Sequence, residues 1–205
     1  MSRVKKLQIV TQLTALALFI TLLVTGRIQV WMGIFLASVV LTLFFGRIYC
    51  GWICPINTVM KLVTGIKARF KLKSFAVPEL LKKPAFRYGI LAAFLLAFIL
   101  TMVSGKRLPV LPILFAAGVL LTVFFPEVLW HRYLCPYGTI LSLPGAKAQR
   151  QLRIDLEICS ECGVCQTVCP GGAITATGGD SINKSLCLNG RDCAGQCPKQ
   201  AIRYQ

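Results

Sequence analysis

The chain has 205 residues, of which 56% are hydrophobic and only 15% charged, with a mean hydropathy of +0.69; a soluble domain carries roughly 25% charged residues. This excludes a disordered chain and an ordinary water-soluble fold. Twenty-three Lys and Arg against seven Asp and Glu, together with ten cysteines, call for a membrane reading and a metal reading at once.

The two readings separate along the chain. Residues 1–153 carry 19 Lys and Arg with only Glu79 and Glu127 as acids, whereas residues 154–205 carry four Lys and Arg, five acids and seven of the cysteines. This predicts a four-span membrane domain over residues 1–152 and a ferredoxin-type iron-sulfur domain over 153–205.

Leu7–Gly26, Ile28–Gly46, Tyr88–Gly105 and Leu108–Pro126 hold no charged side chain over 18 to 20 residues each. As helices, such runs cross the ~30 Å hydrocarbon layer. Arg3, Lys5 and Lys6 precede the first run in the manner of a secretory signal. That run is too long and lacks a small-x-small cleavage site, so it reads as a retained first helix. Lys and Arg resist translocation. With the N-terminus inside, the cytoplasmic segments hold sixteen of them and the external turns three, namely Arg27, Lys106 and Arg107. Both termini and the Cys-rich tail are therefore expected on the cytoplasmic side of a cell inner membrane, where thiols stay reduced. The Lys-rich loop from Lys61 to Arg87 suits a solvated loop or contact with anionic lipid headgroups equally. Topology accounts for its charge and no nucleic-acid motif accompanies it, so no nucleic-acid partner is expected.

A shift of 81 residues lays the second helical pair on the first, as in a duplicated helical hairpin. The same shift sets Tyr49-Cys50-Gly51-Trp52-Ile53-Cys54-Pro55 on Trp130-His131-Arg132-Tyr133-Leu134-Cys135-Pro136, with Thr58 on Thr139. On a helical turn Cys50 and Cys54 face the same way, and His131 and Cys135 repeat that spacing. These four are candidate ligands for a third site holding an iron-sulfur cluster, zinc or copper. Without a metal, Cys50 and Cys54 suit a redox-active dithiol, or all are small buried residues near a helix end. His131 equally suits a structural role, satisfying carbonyls at a helix end. Glu127, four residues earlier, shares its face if the helix continues beyond Pro126. Trp31, Tyr49, Trp52, Trp130, Tyr133 and Tyr137 fall near span ends, as an aromatic belt requires. A quinone headgroup among those near the two motifs would find Glu127 or His131 as proton acceptor.

Cys159-x2-Cys162-x2-Cys165-x3-Cys169-Pro170 is the ligand run of bacterial ferredoxins, in which the fourth cysteine serves the other cluster of a pair. A second run, Cys187-x5-Cys193-x3-Cys197-Pro198, has Gly190 where a further cysteine would stand. Crossing the assignments gives one 4Fe-4S cluster to Cys159, Cys162, Cys165 and Cys197, and a second to Cys169, Cys187 and Cys193. The second is 3Fe-4S, or 4Fe-4S completed by Asp192, Asn189, solvent or a partner. Gly171, Gly172, Gly178 and Gly179 fit tight turns between the runs, and the expected form is two short hairpins with two helical turns. Such clusters also suit a purely structural role, stapling a domain with little core.

Gly46 through Pro55, Arg132 through Gly138 and the ferredoxin run together resemble the polyferredoxin-like NapH family. These are membrane subunits of periplasmic nitrate reductase systems, with relatives in methylamine utilization, nitrous oxide respiration and cytochrome oxidase copper assembly. The resemblance implies a four-helix quinol dehydrogenase subunit with CxxxCP motifs facing the cytoplasm and two iron-sulfur clusters. Two positions depart from the family pattern, His131 at the head of the second motif and Gly190 in the second cluster run. The leading expectation is a membrane all-α four-helix bundle joined to a bacterial-ferredoxin-like α+β domain. It would exchange electrons between a membrane quinone and a partner redox subunit. The alternatives are a copper reductase or assembly factor working at the Cys/His motifs, and a membrane anchor whose clusters only hold its fold.

Overall fold

The computed structural model describes residues 3–104, 110–175 and 181–205, which form two compact units, Met1–Thr58 with Ile140–Gln205, and Val59–Thr139. Lys106 and Arg107 of the expected external turn, the span ends Gly105 and Leu108, and Gly178 and Gly179 lie outside the described residues.

The first unit opens with α1 (Arg3–Val24) and α2 (Gln29–Phe45). α1 turns Gln8, Gln12, Ala15 and Phe19 inward, one residue per turn of a single face, and leaves Leu7, Val10, Leu13, Leu18, Ile20 and Leu23 exposed. A water-soluble helix is sided the other way. Phe19 packs edge-on against Trp31 of α2 at 5.2 Å. α2 stops at Gly46, whose φ of 68° is a left-handed value and whose N–H closes on the Thr42 carbonyl at 3.0 Å. A Cβ there would come within 2.7 Å of the Asn189 amide nitrogen, so the position takes only glycine.

A π-turn at Tyr49–Ile53 follows, then Cys54 in extended conformation, then α3 (Pro55–Arg69), with proline in the first helical position where its missing N–H costs nothing. The expected α-turn is thus a wider one. The Cys54 N–H reaches the Tyr49 carbonyl five residues back at 2.8 Å. Trp31 and Tyr49 do not form an interfacial belt. Both are buried, and the Trp31 indole donates to the Tyr49 hydroxyl at 2.9 Å.

The second unit contains most of α3, then α4 (Glu79–Lys82), α5 (Pro84–Ser104), α6 (Val110–Phe124) and a second π-turn at Leu129–Leu134. α6 does not continue beyond Pro126; it ends at Phe124, and a new turn begins at Glu127. Two of its terminal carbonyls find donors: Thr122 accepts from the buried Lys67 amine at 2.9 Å and Phe124 from the Phe75 N–H at 2.9 Å. Phe94 of α5 packs edge-on against Tyr137 at 5.3 Å. α5 and α6 also leave a row of leucine, isoleucine, valine and phenylalanine side chains exposed. Among the described residues one helix, α1, is long and apolar enough to cross a membrane, while Gln29–Phe45, Ala85–Thr101 and Val110–Phe124 are shorter apolar helices.

α7 (Pro136–Ala146) begins in the second unit and carries the chain back into the first, where β1 (Leu152–Ile154), α8 (Val164–Thr167), β2 (Ile174–Thr175), β3 (Ser181–Ile182), α9 (Asp192–Gln196) and β4 (Ile202–Tyr204) follow. The two helical turns are as expected, but only one strand pair is a hairpin. β2 pairs β3 locally, whereas β1 pairs β4, the first strand with the last, in register Leu152↔Tyr204 and Ile154↔Ile202. That long-range pairing brings the two cysteine runs side by side. The core it closes is small and built partly of the cysteines, with Cys165, Cys187 and Cys193 buried among Leu152, Ala173, Ile174, Leu186 and Ile202. Gly171 lets the chain pass the Leu186 carbonyl, 2.5 Å from where a Cβ would sit.

Candidate iron-sulfur site

Cys159, Cys162, Cys165 and Cys197 line one cavity, whose remaining wall includes Ile154, Val164, Ala201 and Ile202. Three of the thiols come from one run and the fourth from the other, brought over by the β1–β4 pairing. Glu161 (φ 51°) and Gly163 (φ 73°) turn the backbone left-handed between these ligands, which wraps the short segment around the cavity. Four thiols on an apolar-walled cavity fit a 4Fe-4S group. Among the described residues no three His, Cys, Asp or Glu side chains gather closely enough to hold a single metal ion.

Cys169, Cys187 and Cys193 form the second set. Burial pushes the Cys187 thiol up to about 11 and the Cys193 thiol to about 12, and the nearness of Cys169 to both adds to the effect. Three thiols that feel one another in a buried place also fit a cluster. Of the candidates for the missing ligand, Asp192 is paired with the Lys5 amine at 2.6 Å. Asn189 is buried, accepts from the Cys187 thiol at 3.6 Å and donates to the Phe45 carbonyl at 2.7 Å.

The first motif is bonded to this second set. The Trp52 indole donates to the Asn189 carbonyl at 3.1 Å, and the Gln8 amide bridges the carbonyls of Gly51 (3.0 Å) and Gly190 (2.9 Å). Gln12 adds a bond to Gly51 at 2.9 Å. Gly51 packs so closely that a Cβ would stand 2.4 Å from the Leu188 carbonyl. Gly190, where a cysteine would complete the run, is therefore part of the seam between motif and cluster loop. Cys50 is buried and Cys54 half-buried. Arg47, 1% exposed, donates to the Ser185 carbonyl at 3.0 Å and to the Cys50 sulfur at 3.6 Å.

The second motif repeats the first within its own unit: a π-turn, an extended Cys135, Pro136 opening α7, and an i to i+5 bond from Cys135 to Trp130 at 2.8 Å. Thr58 and Thr139 each donate their hydroxyl to the motif cysteine's carbonyl at 3.1 Å, so the 81-residue repeat extends to single hydrogen bonds. His131 and Cys135 are both buried. Glu127 is half-buried and close enough to Lys67 for its charge to act on that amine; burial, the larger effect, pushes the amine below the ordinary lysine range.

Sequence reasoning found the cysteines, and Asn189 as a candidate ligand, and missed three polar residues that join motif to cluster loop: Gln8, Gln12 and Arg47. The signal for the first two was present, as Gln8 and Gln12 stand one turn apart in an otherwise apolar run. Arg47 was visible as one cation in the topology count and as part of the Gly46–Pro55 run, without a role of its own.

Comparison with known proteins agrees with this geometry. Residues 28–73 and 107–154, each holding the second helix of a pair and the motif after it, match one 4Fe-4S binding domain family, and residues 152–175 match a second. The uncharacterized protein MJ0749 of Methanocaldococcus jannaschii is 31% identical over 172 residues, covering 82% of this chain and 68% of that protein. The chain belongs to the NapH-type ferredoxin-like family. Protein NirI of Paracoccus denitrificans is 32% identical over 76% of this chain, which spans 26% of NirI. The ferredoxin-type protein NapH of Haemophilus influenzae is 27% identical over 79% of this chain, which spans 63% of NapH. No solved structure matches the chain. The chain is an electron-transport protein of ferredoxin type with 4Fe-4S binding domains.

Proposed function

We propose that this chain is a multi-pass inner-membrane subunit that passes electrons between a quinone pool and a partner redox protein. One observation carries the reading: the Cys50–Cys54 motif, at the end of an apolar helical pair, is hydrogen-bonded directly to the loop bearing Cys187. The exposed apolar side chains on all four long helices support a lipid environment, since water-soluble proteins rarely leave such faces bare. In this reading residues 1–152 form four spans, with the ferredoxin domain of residues 153–205 in the cytoplasm.

Cys159, Cys162, Cys165 and Cys197 hold a 4Fe-4S cluster, and Cys169, Cys187 and Cys193 hold a second cluster of 3Fe-4S or 4Fe-4S type. A bound cluster supplies a one-electron acceptor. Quinol oxidation releases two electrons and two protons; Glu127 and His131 are the proposed proton acceptors. Cys50, Cys54, His131 and Cys135 are proposed as thiolate and imidazole donors for further metal chemistry at the motifs.

The test is the Cys50→Ser, Cys54→Ser double variant in proteoliposomes. It should lose quinone-linked electron transfer while the ferredoxin clusters stay in place. Full transfer in that variant overturns the reading. Copper that binds wild-type protein and is lost in Cys135→Ala, with no quinone-linked transfer in either, would establish the metal-handling alternative.

A further inference from the structure

Arg47 is a buried cation with no carboxylate bonded to it among the described residues. Its Nη1 goes to a carbonyl and its Nη2 to the Cys50 sulfur, while Nε has no hydrogen-bond partner. The aliphatic part of the side chain is held against Gly145, where a Cβ would crowd Arg47 Cγ at 3.1 Å. A guanidinium cannot shed its proton to escape burial. Taking such a charge out of water is costly unless an opposite charge is supplied. The chain places it instead between two sulfur-bearing segments, with Cys50 three residues on and Ser185 two residues before Cys187. Its guanidinium is close enough to Cys187 for its charge to act on that sulfur.

We infer that Arg47 is the fixed counter-cation of the cluster held by Cys169, Cys187 and Cys193, and that it sets that cluster's reduction potential above the value the same ligands would otherwise give. The inference rests on the proposed reading that these cysteines hold a cluster. Each electron added to a thiolate-ligated cluster adds negative charge, and a buried cation at close range favours the reduced form. The electrons are then drawn toward the cluster loop nearest the first motif. Arg47 also ties that loop to the motif through Ser185, so one side chain fixes both position and charge.

The experiment is an anaerobic redox titration of the full-length, detergent-solubilised protein, with dithionite as reductant and ferricyanide as oxidant, followed by EPR. Iron per chain is counted first, and the two signals are assigned with Cys197→Ser and Cys187→Ser. Arg47→Gln should make the second cluster harder to reduce by at least tenfold in its reduced-to-oxidised ratio at fixed potential, about 59 mV for a one-electron couple. The Cys159 cluster should not move. Arg47→Lys, which keeps the charge but cannot fork to Ser185 and Cys50 together, should fall between wild type and Arg47→Gln. Equal shifts at both clusters, or none, overturn the inference. If Arg47→Gln fails to hold two clusters, Arg47→Met, which keeps the aliphatic stem without the charge, decides: a lowered potential confined to the second cluster supports the inference and an unmoved potential overturns it. A wild-type chain with only the Cys159 cluster overturns the underlying reading, and the iron count separates that case from the others.

Discussion

Cys197 stands in the second cysteine run yet lines the cavity of the first, beside Cys159, Cys162 and Cys165. Cys197→Ser should therefore abolish the first cluster and spare the second, and Cys187→Ser the reverse; each should lower iron by about four per chain or slightly less. EPR of the two variants checks this, and loss of the same signal in both would contradict the crossed assignment. The raised thiols of the second set give a pH dependence. In iron-free protein burial holds the Cys187 and Cys193 thiols up at about 11 and about 12. Ligation needs thiolates, so each must release its proton on binding, and the cost of that release falls as pH rises. Iron capture at this set should strengthen by up to about tenfold per pH unit per thiol. Anaerobic reconstitution of iron-free protein at pH 7 and pH 8.5 should fill the second cluster more completely at the higher pH, and equal filling would contradict it. These cysteines were legible because ligand spacing is local in sequence. The roles of Arg47 and Gln8 were not, because they come from carbonyls 43 to 182 residues away.

At the scale of elements, the four-residue spacing of Cys50 and Cys54 is read from sequence as an α-turn and is built as a π-turn. Sequence cannot distinguish these, since the choice is made by where the Cys54 N–H finds its acceptor. The β1–β4 pairing was equally hidden, because strands of three residues carry no register signal and the pairing joins the two ends of the domain. Helix ends were nearer the surface of the sequence: Gly46 and Pro126 stop α2 and α6 as glycine and proline generally do. The seam between the first motif and the loop at Leu188–Gly190 depends on backbone contact at Gly51. Gly51→Ala would place a Cβ 2.4 Å from the Leu188 carbonyl. This overpacking should cost about 1–3 kcal/mol. Thermal unfolding followed by cluster absorbance should show a lowered midpoint, and an unchanged midpoint would mean the seam yields without strain.

Across the whole molecule, the duplication and the C-terminal ferredoxin were both readable, the first from an 81-residue shift and the second from its ligand run. Matches to one 4Fe-4S binding domain family at residues 28–73 and 107–154 fall on the two repeats. The number of spans rests on composition and on exposed apolar faces, with α1 the helix that meets the length requirement among the described residues. The central claim is that electrons move between a quinone in the bilayer and clusters held by the cysteine runs. It is tested most directly by reducing the purified protein in nanodiscs with dithionite, removing excess reductant, adding oxidised quinone and following cluster absorbance and EPR under anaerobic conditions. The account predicts that the quinone reoxidises the clusters, and that Cys50→Ser with Cys54→Ser slows this severely. Clusters that stay reduced in the presence of quinone would contradict it.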